Sequence, residues 1–222
     1  MAEFSNKVVI FDLDGVLINT AEYHKVAWRE LAERNGFEIS DDFFYSTFGM
    51  QNYQIIPTMA KRELSDSEFQ EMSDWKENRY RELIAGKLEL LAGAERLIKD
   101  LKNSGFALAI GSSTPRSNLE FMLKNLPIEK YFDAMVVGED VKNGKPAPDT
   151  FLKAAEKLDI APEYCVVVED AVQGLKAAKN AGMAVVAVTT TRSRDDLTIA
   201  DMIVDSLEEL SARDFERLLD RI

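Results

Sequence analysis

Four separate stretches of this chain carry residues that could do chemistry. Asp12 and Asp14 stand two positions apart, after the apolar run Val8-Val9-Ile10-Phe11 and just before Gly15. Ser112 and Ser113 follow the apolar run Phe106 to Ile110 and Gly111. Lys145 stands between Gly144 and Pro146, in Gly-Lys-Pro-Ala-Pro-Asp. Glu169 and Asp170 close the run Cys165 to Val168. If Asp12, Asp14, Glu169 and Asp170 converge, their repulsion needs a counter-charge. A hard divalent cation is the simplest one, and Mg²⁺ takes a few carboxylates plus a phosphate oxygen. With one histidine and one cysteine in the chain, a zinc site has no ligand set. A lysine and hydroxyls on the far side of the metal suit an anionic ligand. Together these groups describe phosphoryl transfer, in which fixed cations spread the charge of the transferred group. An aspartate can serve as the nucleophile, and a second carboxylate can shuttle the proton.

The elements that must position these residues are legible from hydrophobic periodicity. Val8 to Phe11 reads as a short buried strand. Residues 20–86 read as helical throughout. A helix opens at Thr20 as its cap and ends at Asn35-Gly36, a second opens at Ser40, and a third covers about 53–63. A fourth runs from the capping sequence Ser65-Asp66-Ser67-Glu68 to about Ile84. From residue 93 the rhythm changes. Helices over 94–103, 116–125, up to Leu158 and over 172–181 alternate with strands over 106–110, 134–137, 165–168, 184–188 and 202–204. That alternation predicts an α/β fold, a doubly wound parallel sheet with helices on both faces. Ligands of such sheets sit outside the carboxyl ends of the strands, where all the residues above fall. The helical stretch is too long for a crossover. The predicted organisation is therefore a core of 1–18 and 89–222, with a small α-helical cap of 19–88 inserted after the first strand.

Composition bounds the partners. The 222 residues hold 27 basic and 39 acidic side chains, for a net charge of −12. Such a surface argues against nucleic acid or an anionic membrane, and leaves small phosphorylated metabolites open. The single cysteine, Cys165, lies in an apolar run and reads as a core thiol. No apolar stretch reaches membrane-spanning length and no signal pattern opens the chain, so a cytoplasmic location is expected.

The residues quoted above resemble, in order and separation, the four motifs of the haloacid dehalogenase-like (HAD) phosphotransferase superfamily. The resemblance spans almost the whole chain and extends to the helical cap of the β-phosphoglucomutase-like subfamily. It implies a Rossmann-like core. It also implies that Asp12 is the nucleophile and a metal ligand, and that Asp14 is the general acid/base with its carbonyl on the metal. Ser112, with Ser113 beside it, would bind the phosphoryl group, and Lys145 would bridge phosphate and nucleophile. Glu169 and Asp170 would complete the Mg²⁺ site. The stretch Asn19-Thr20-Ala21-Glu22-Tyr23-His24, then Ala27-Trp28, is similar to the subfamily's linker, where a histidine steers the acid/base aspartate. Thr20, His24, Trp28, Asn52 and Lys76 are accordingly expected at the substrate.

Two departures matter. Asn19 stands where an aspartate is common. The cap loop Phe48-Gly49-Met50-Gln51-Asn52-Tyr53 has no arginine, the residue with which a mutase holds a second phosphate. Arg116 could supply a positive charge from the core side. The favoured expectation is a monomeric, Mg²⁺-dependent phosphatase of a small phosphorylated metabolite, a sugar phosphate, working through an aspartyl-phosphate. The alternative is a phosphomutase. A dehalogenase would need neither Asp14 nor the Glu169-Asp170 pair. A non-catalytic phospho-binding or regulatory protein would have no need of Asp12, Asp14 and Lys145 together.

Overall fold

A computed structural model of the chain describes residues 7–220. The expected core segments start at residue 1 and end at 222, so their outermost residues lie outside the described ones.

Six parallel strands form one sheet in the order β3-β2-β1-β4-β5-β6. They are β1 (Val8–Phe11), β2 (Ala107–Gly111), β3 (Ala134–Val136), β4 (Cys165–Glu169), β5 (Ala184–Val188) and β6 (Met202–Val204). The doubly wound prediction holds. β1 lies at the centre, with Phe11 level with Ile110 of β2 and Val168 of β4. The chain winds one way from β1 to β3 and the other from β4 to β6. The order therefore reverses between β1 and β4, and a ligand crevice opens at that point.

Alternation along the strands builds two cores. Val9, Phe11, Leu108, Ile110, Val166 and Val168 face one layer, which includes α5 (Ala94–Asn103), α6 (Arg116–Lys124) and α9 (Ala212–Leu219). Val8, Ile10, Ala109, Cys165, Val167 and Val185 face the other, with α7 (Asp149–Lys157) and α8 (Val172–Asn180). Both faces are covered, so every residue of β1, β2, β4 and β5 is buried. Cys165 belongs to the second core. Burial, with Glu163 nearby, pushes its thiol up to about 12, which fits an inert packing residue.

Between β1 and α5 lie α1 (Ala21–Arg34), α2 (Asp41–Thr47), α3 (Asn52–Ala60) and α4 (Asp66–Ile84). They share a third apolar cluster of Trp28, Leu31, Phe44, Phe48, Ile55, Ile56, Met59 and Met72, which Ala171 of the sheet edge joins. Ser65 and Glu68 form the reciprocal cap expected at the start of α4. Two details depart from the sequence expectations. Thr20 stands at the cap position of α1, yet its side chain makes no cap bond. Helix α9 was not expected. It opens where Asp214 Oδ2 accepts from the Ser211 N–H at 2.9 Å and from its hydroxyl at 2.7 Å, and it buries Phe215 and Leu218. At eight residues it is too short to show more than two helical repeats.

Candidate active site

Asp12 is the first residue beyond β1, and its N–H donates to Val168 O at 2.9 Å, fixing it against β4. Lys145 arrives on the loop before α7. Its Nζ donates to Asp12 Oδ1 at 2.5 Å and to Glu169 Oε1 at 2.7 Å. Lys145 is fully buried, with Nζ 4.7 Å from the centre of the Phe151 ring. Burial pulls its pKa down, but Asp12 and then Glu169 outweigh burial and raise it, so the ammonium persists. Oε2 of Glu169 accepts from the N–H groups of Asp170 and Ala171, both at 2.8 Å. Burial pushes Asp12 up against the pull of Lys145, with Glu169 and Asp14 adding to the rise. Asp170 is driven up by burial, Glu169 and Asp12. Its Oδ2 accepts from Thr191 Oγ1 at 2.5 Å, whereas its Oδ1 is buried with no hydrogen-bond partner.

Asp14 has a different environment. Its Oδ1 accepts from Thr20 Oγ1 at 2.5 Å and from Tyr80 Oη at 3.0 Å, and lies 3.3 Å from His24 Nε2. Lys76 Nζ lies 3.0 Å from the other ring nitrogen of His24. An ammonium has only donors, so Nδ1 must accept and the proton must sit on Nε2, which then donates to Asp14. Burial first, and Lys76 next, pull His24 toward the neutral form. The His24 ring stacks on Tyr80 with centroids 3.8 Å apart. Burial alone would raise Asp14, but His24, Thr20 and Tyr80 bring it down to about 2. The share that needs a charged imidazole falls away as His24 loses its proton, and the hydroxyl bonds carry the remainder. The chain of contacts continues outward. Lys76 Nζ donates to Glu77 Oε1 at 2.9 Å, and Asn52 and Asn118 donate to the same carboxylate at 2.8 and 2.6 Å.

Among the described residues, no three acidic, histidine or cysteine side chains already form a metal cage. Lys145 instead occupies the space between Asp12 and Glu169. The donor set still fits a hard cation. It is all oxygen, and the unpartnered Oδ1 of Asp170 is a buried carboxylate atom short of positive charge.

These groups gather at the carboxyl edge where the strand order reverses. The family model for haloacid dehalogenase-like hydrolases matches residues 9–188, a stretch that contains all four motifs. The chain belongs to this family. A phosphorylated carbohydrates phosphatase of Thermotoga maritima is 35% identical over 181 residues, covering 80% of this chain and 82% of that protein. A β-phosphoglucomutase of Bacillus subtilis is 35% identical over 213 residues, covering 92% of each chain. The crystal structure of a β-phosphoglucomutase from Clostridium difficile superposes with a TM-score of 0.89 at 30% identity, over 97% of both chains. This HAD-family chain is thus β-phosphoglucomutase-like in sequence and fold.

One cavity of this HAD site is lined by Asp12, Asp14, His24, Trp28, Asn52, Lys76, Ser112, Ser113, Glu169 and Asp170, with Glu77 and Thr114. Lys145 reaches it through Asp12. Trp28 carries Lys76 Nζ over its ring at 4.8 Å. Thr20 reaches it through Asp14, which explains why its hydroxyl is not spent on the α1 cap. One expectation changes. Arg116 is exposed, its guanidinium donates to Asp140 at 2.6 Å, and it does not line the cavity, so it supplies no charge to the site. Ser113 lines the cavity and donates its hydroxyl to Gly49 O at 2.7 Å, which ties the motif to the loop 48–53. Glu169 lines the cavity while accepting from Lys145 on one oxygen and from the Asp170 and Ala171 N–H groups on the other. Tyr80, Glu77, Asn118 and Thr191 were not foreseen. Tyr80 is four residues beyond Lys76 on α4, and that helical spacing was the available signal.

Gly174 of α8 supports the same corner. A Cβ there would lie 1.7 Å from Glu169 Oε1 and 1.9 Å from its Cδ. Gly174→Ala improves helix propensity by about 1 kcal/mol, yet it must displace the carboxylate that seats Lys145. Activity is expected to fall about 10²-fold, the cost of an ångström-scale misplacement. Steady-state rates beside a circular dichroism melt check this. Unchanged turnover would show that Glu169 need not stay where it is.

Proposed function

We propose that the chain is a Mg²⁺-dependent phosphatase that hydrolyses a small phosphorylated metabolite, a sugar phosphate, through an aspartyl-phosphate on Asp12. The observation that carries the reading is Lys145, buried and charged, bridging Asp12 and Glu169, with Asp12, Glu169 and Ser112 lining one cavity. The phosphatase and mutase relatives support the class of reaction.

Asp12 attacks phosphorus, and the bond from phosphorus to the ester oxygen breaks. Asp14 protonates the departing oxygen. Asp14 then takes a proton from water, the water oxygen bonds phosphorus, and the Asp12–phosphorus bond breaks, releasing phosphate. Held by Thr20 and Tyr80, Asp14 is an anion, the form that serves the second step. Its acid role requires it to leave those hydroxyls for a setting in which its pKa rises. Lys145 neutralises the charge of the transferring group, and Ser112 at the end of β2 lies beside it. Asp12, Asp170 and the Asp14 carbonyl would hold Mg²⁺, with Glu169 adding charge behind them. Once bound, the ion would balance the carboxylates and polarise the phosphoryl oxygens. Residues 19–88 act as the cap that closes over this site.

Hydrolysis is favoured over mutase chemistry because the loop 48–53 holds no cation for a second phosphate. Phosphomutase activity is the second reading, supported by the overall likeness to the C. difficile enzyme. A panel of sugar phosphates assayed with and without Mg²⁺ tests the proposal. The deciding arm is β-glucose 1-phosphate with a catalytic amount of its bisphosphate. Inorganic phosphate is the expected product, and accumulation of glucose 6-phosphate would overturn the hydrolase reading.

A ligand-free measurement tests the metal assignment. Mg²⁺ is expected to raise the melting temperature, because an ion that binds only the folded state stabilises it by mass action. Asp170→Asn should lose most of that rise. An equal rise in the variant would place the ion elsewhere.

A further inference from the structure

The loop that carries Lys145 is held from two sides. The core holds its outer ends. Asn143 N–H donates to Asp149 Oδ1 at 3.3 Å, and Asn180 Nδ2 donates to Pro146 O at 3.1 Å. Two backbone groups between them are held by the cap helix α3. Gly144 N–H donates to Tyr53 Oη at 2.7 Å, and Gln54 Nε2 donates to Lys145 O at 3.3 Å. Gln54 Oε1 accepts from Gln51 N–H at 3.0 Å, which fixes the side chain at the start of α3. The fit is close. A Cβ on Gly144 would lie 2.7 Å from Gln54 Oε1 and 2.9 Å from Gln51 Cγ. Gln51 also donates to Gly138 O at 3.1 Å, docking the same helix end on a second core loop. Tyr53 is 44% exposed, so apolar burial does not explain an aromatic there, whereas its hydroxyl bond does.

We propose that Tyr53 and Gln54 are positioning residues that seat the Lys145 loop, so that the lysine is fully placed between Asp12 and Glu169 only while α3 is docked. This rests on Lys145 acting on the phosphoryl group. Loss of either bond frees a peptide from which a wholly buried ammonium projects, and the ammonium must hold two carboxylates at 2.5 and 2.7 Å. Cap docking and charge neutralisation become one event. Water that enters with the cap open then meets an incompletely assembled site.

A double-mutant cycle with Lys145 tests this, using p-nitrophenyl phosphate as the probe. Tyr53→Phe removes only the hydroxyl. Gln54→Glu keeps the acceptor for Gln51 N–H and removes the donor to Lys145 O. Each is expected to lower kcat about five- to tenfold, the worth of one hydrogen bond, with little change in KM. In a Lys145→Met background neither should lower kcat further, because the group they position is gone. Should Lys145→Met turn over too slowly to measure in the steady state, the single-turnover rate of p-nitrophenol release at high enzyme concentration replaces kcat in the same cycle. Equal losses in both backgrounds, or a rise in KM alone, would overturn the proposal and leave α3 as a simple clasp. Full activity in Lys145→Met by itself would instead overturn the role given to that lysine.

Discussion

Asp12→Asn is expected to lower turnover by about 10⁴-fold or more, the scale on which removal of a catalytic nucleophile acts. The fold should survive. Asparagine has the same shape and keeps an oxygen that can accept from Lys145 Nζ, the bond that Asp12 Oδ1 now makes. It also removes one of several buried carboxylates whose mutual repulsion, with burial, drives Asp12 and Asp170 up. The melting temperature of the metal-free protein should therefore not drop. Steady-state kinetics and a thermal melt on one preparation test both halves. Retained activity in a preparation free of wild-type enzyme would mean that another group attacks phosphorus.

Asp14→Asn should cost about 10²–10⁴ in kcat, the range for loss of a general acid–base. It should also leave a pH signature in stability. The folded pKa of Asp14 is depressed, from 3.8 to about 2. A depressed carboxylate contributes stability that is present above its unfolded pKa and is lost as pH falls through the folded one. The wild type should therefore lead the variant in stability above about pH 4 and lose that lead toward pH 2. Urea melts at several pH values would show it. A constant difference across the range would mean that Thr20, His24 and Tyr80 do not set the charge of Asp14.

The two acids differ because their neighbours come from different parts of the chain. Asp12 answers to Lys145 and Glu169 of the core, and Asp14 to Thr20, His24 and Tyr80 of the helical insert. The core half was legible in the sequence. Buried parallel strands are nearly continuous apolar runs, so Asp12 after β1, Ser112 after β2 and Glu169-Asp170 at the end of β4 mark the ligand edge of the sheet. The insert half was legible only in part. Thr20 read as a helix cap because Thr before a helix is a local signal, whereas its bond to Asp14 depends on how the helix packs. Tyr80, Glu77 and Asn118 sit in helices whose pattern needs them only as helix residues. Their roles arise from contacts 41 to 66 residues apart in sequence. Arg116 looked available because its position after the second motif was visible, while its capture by Asp140, 24 residues on, was not. The clasp of Tyr53 and Gln54 on the lysine loop spans 91 residues and has no local trace.

The central claim is that the phosphoryl group passes through Asp12. Borohydride reduces an acyl phosphate but leaves a free carboxylate intact. The enzyme should be quenched with acid during turnover of p-nitrophenyl phosphate, reduced, digested and read by mass spectrometry. Homoserine at position 12, absent without substrate, is the expected result. Reduction at Asp14, Glu169 or Asp170 instead, or none at all in enzyme caught at full turnover, would contradict the account.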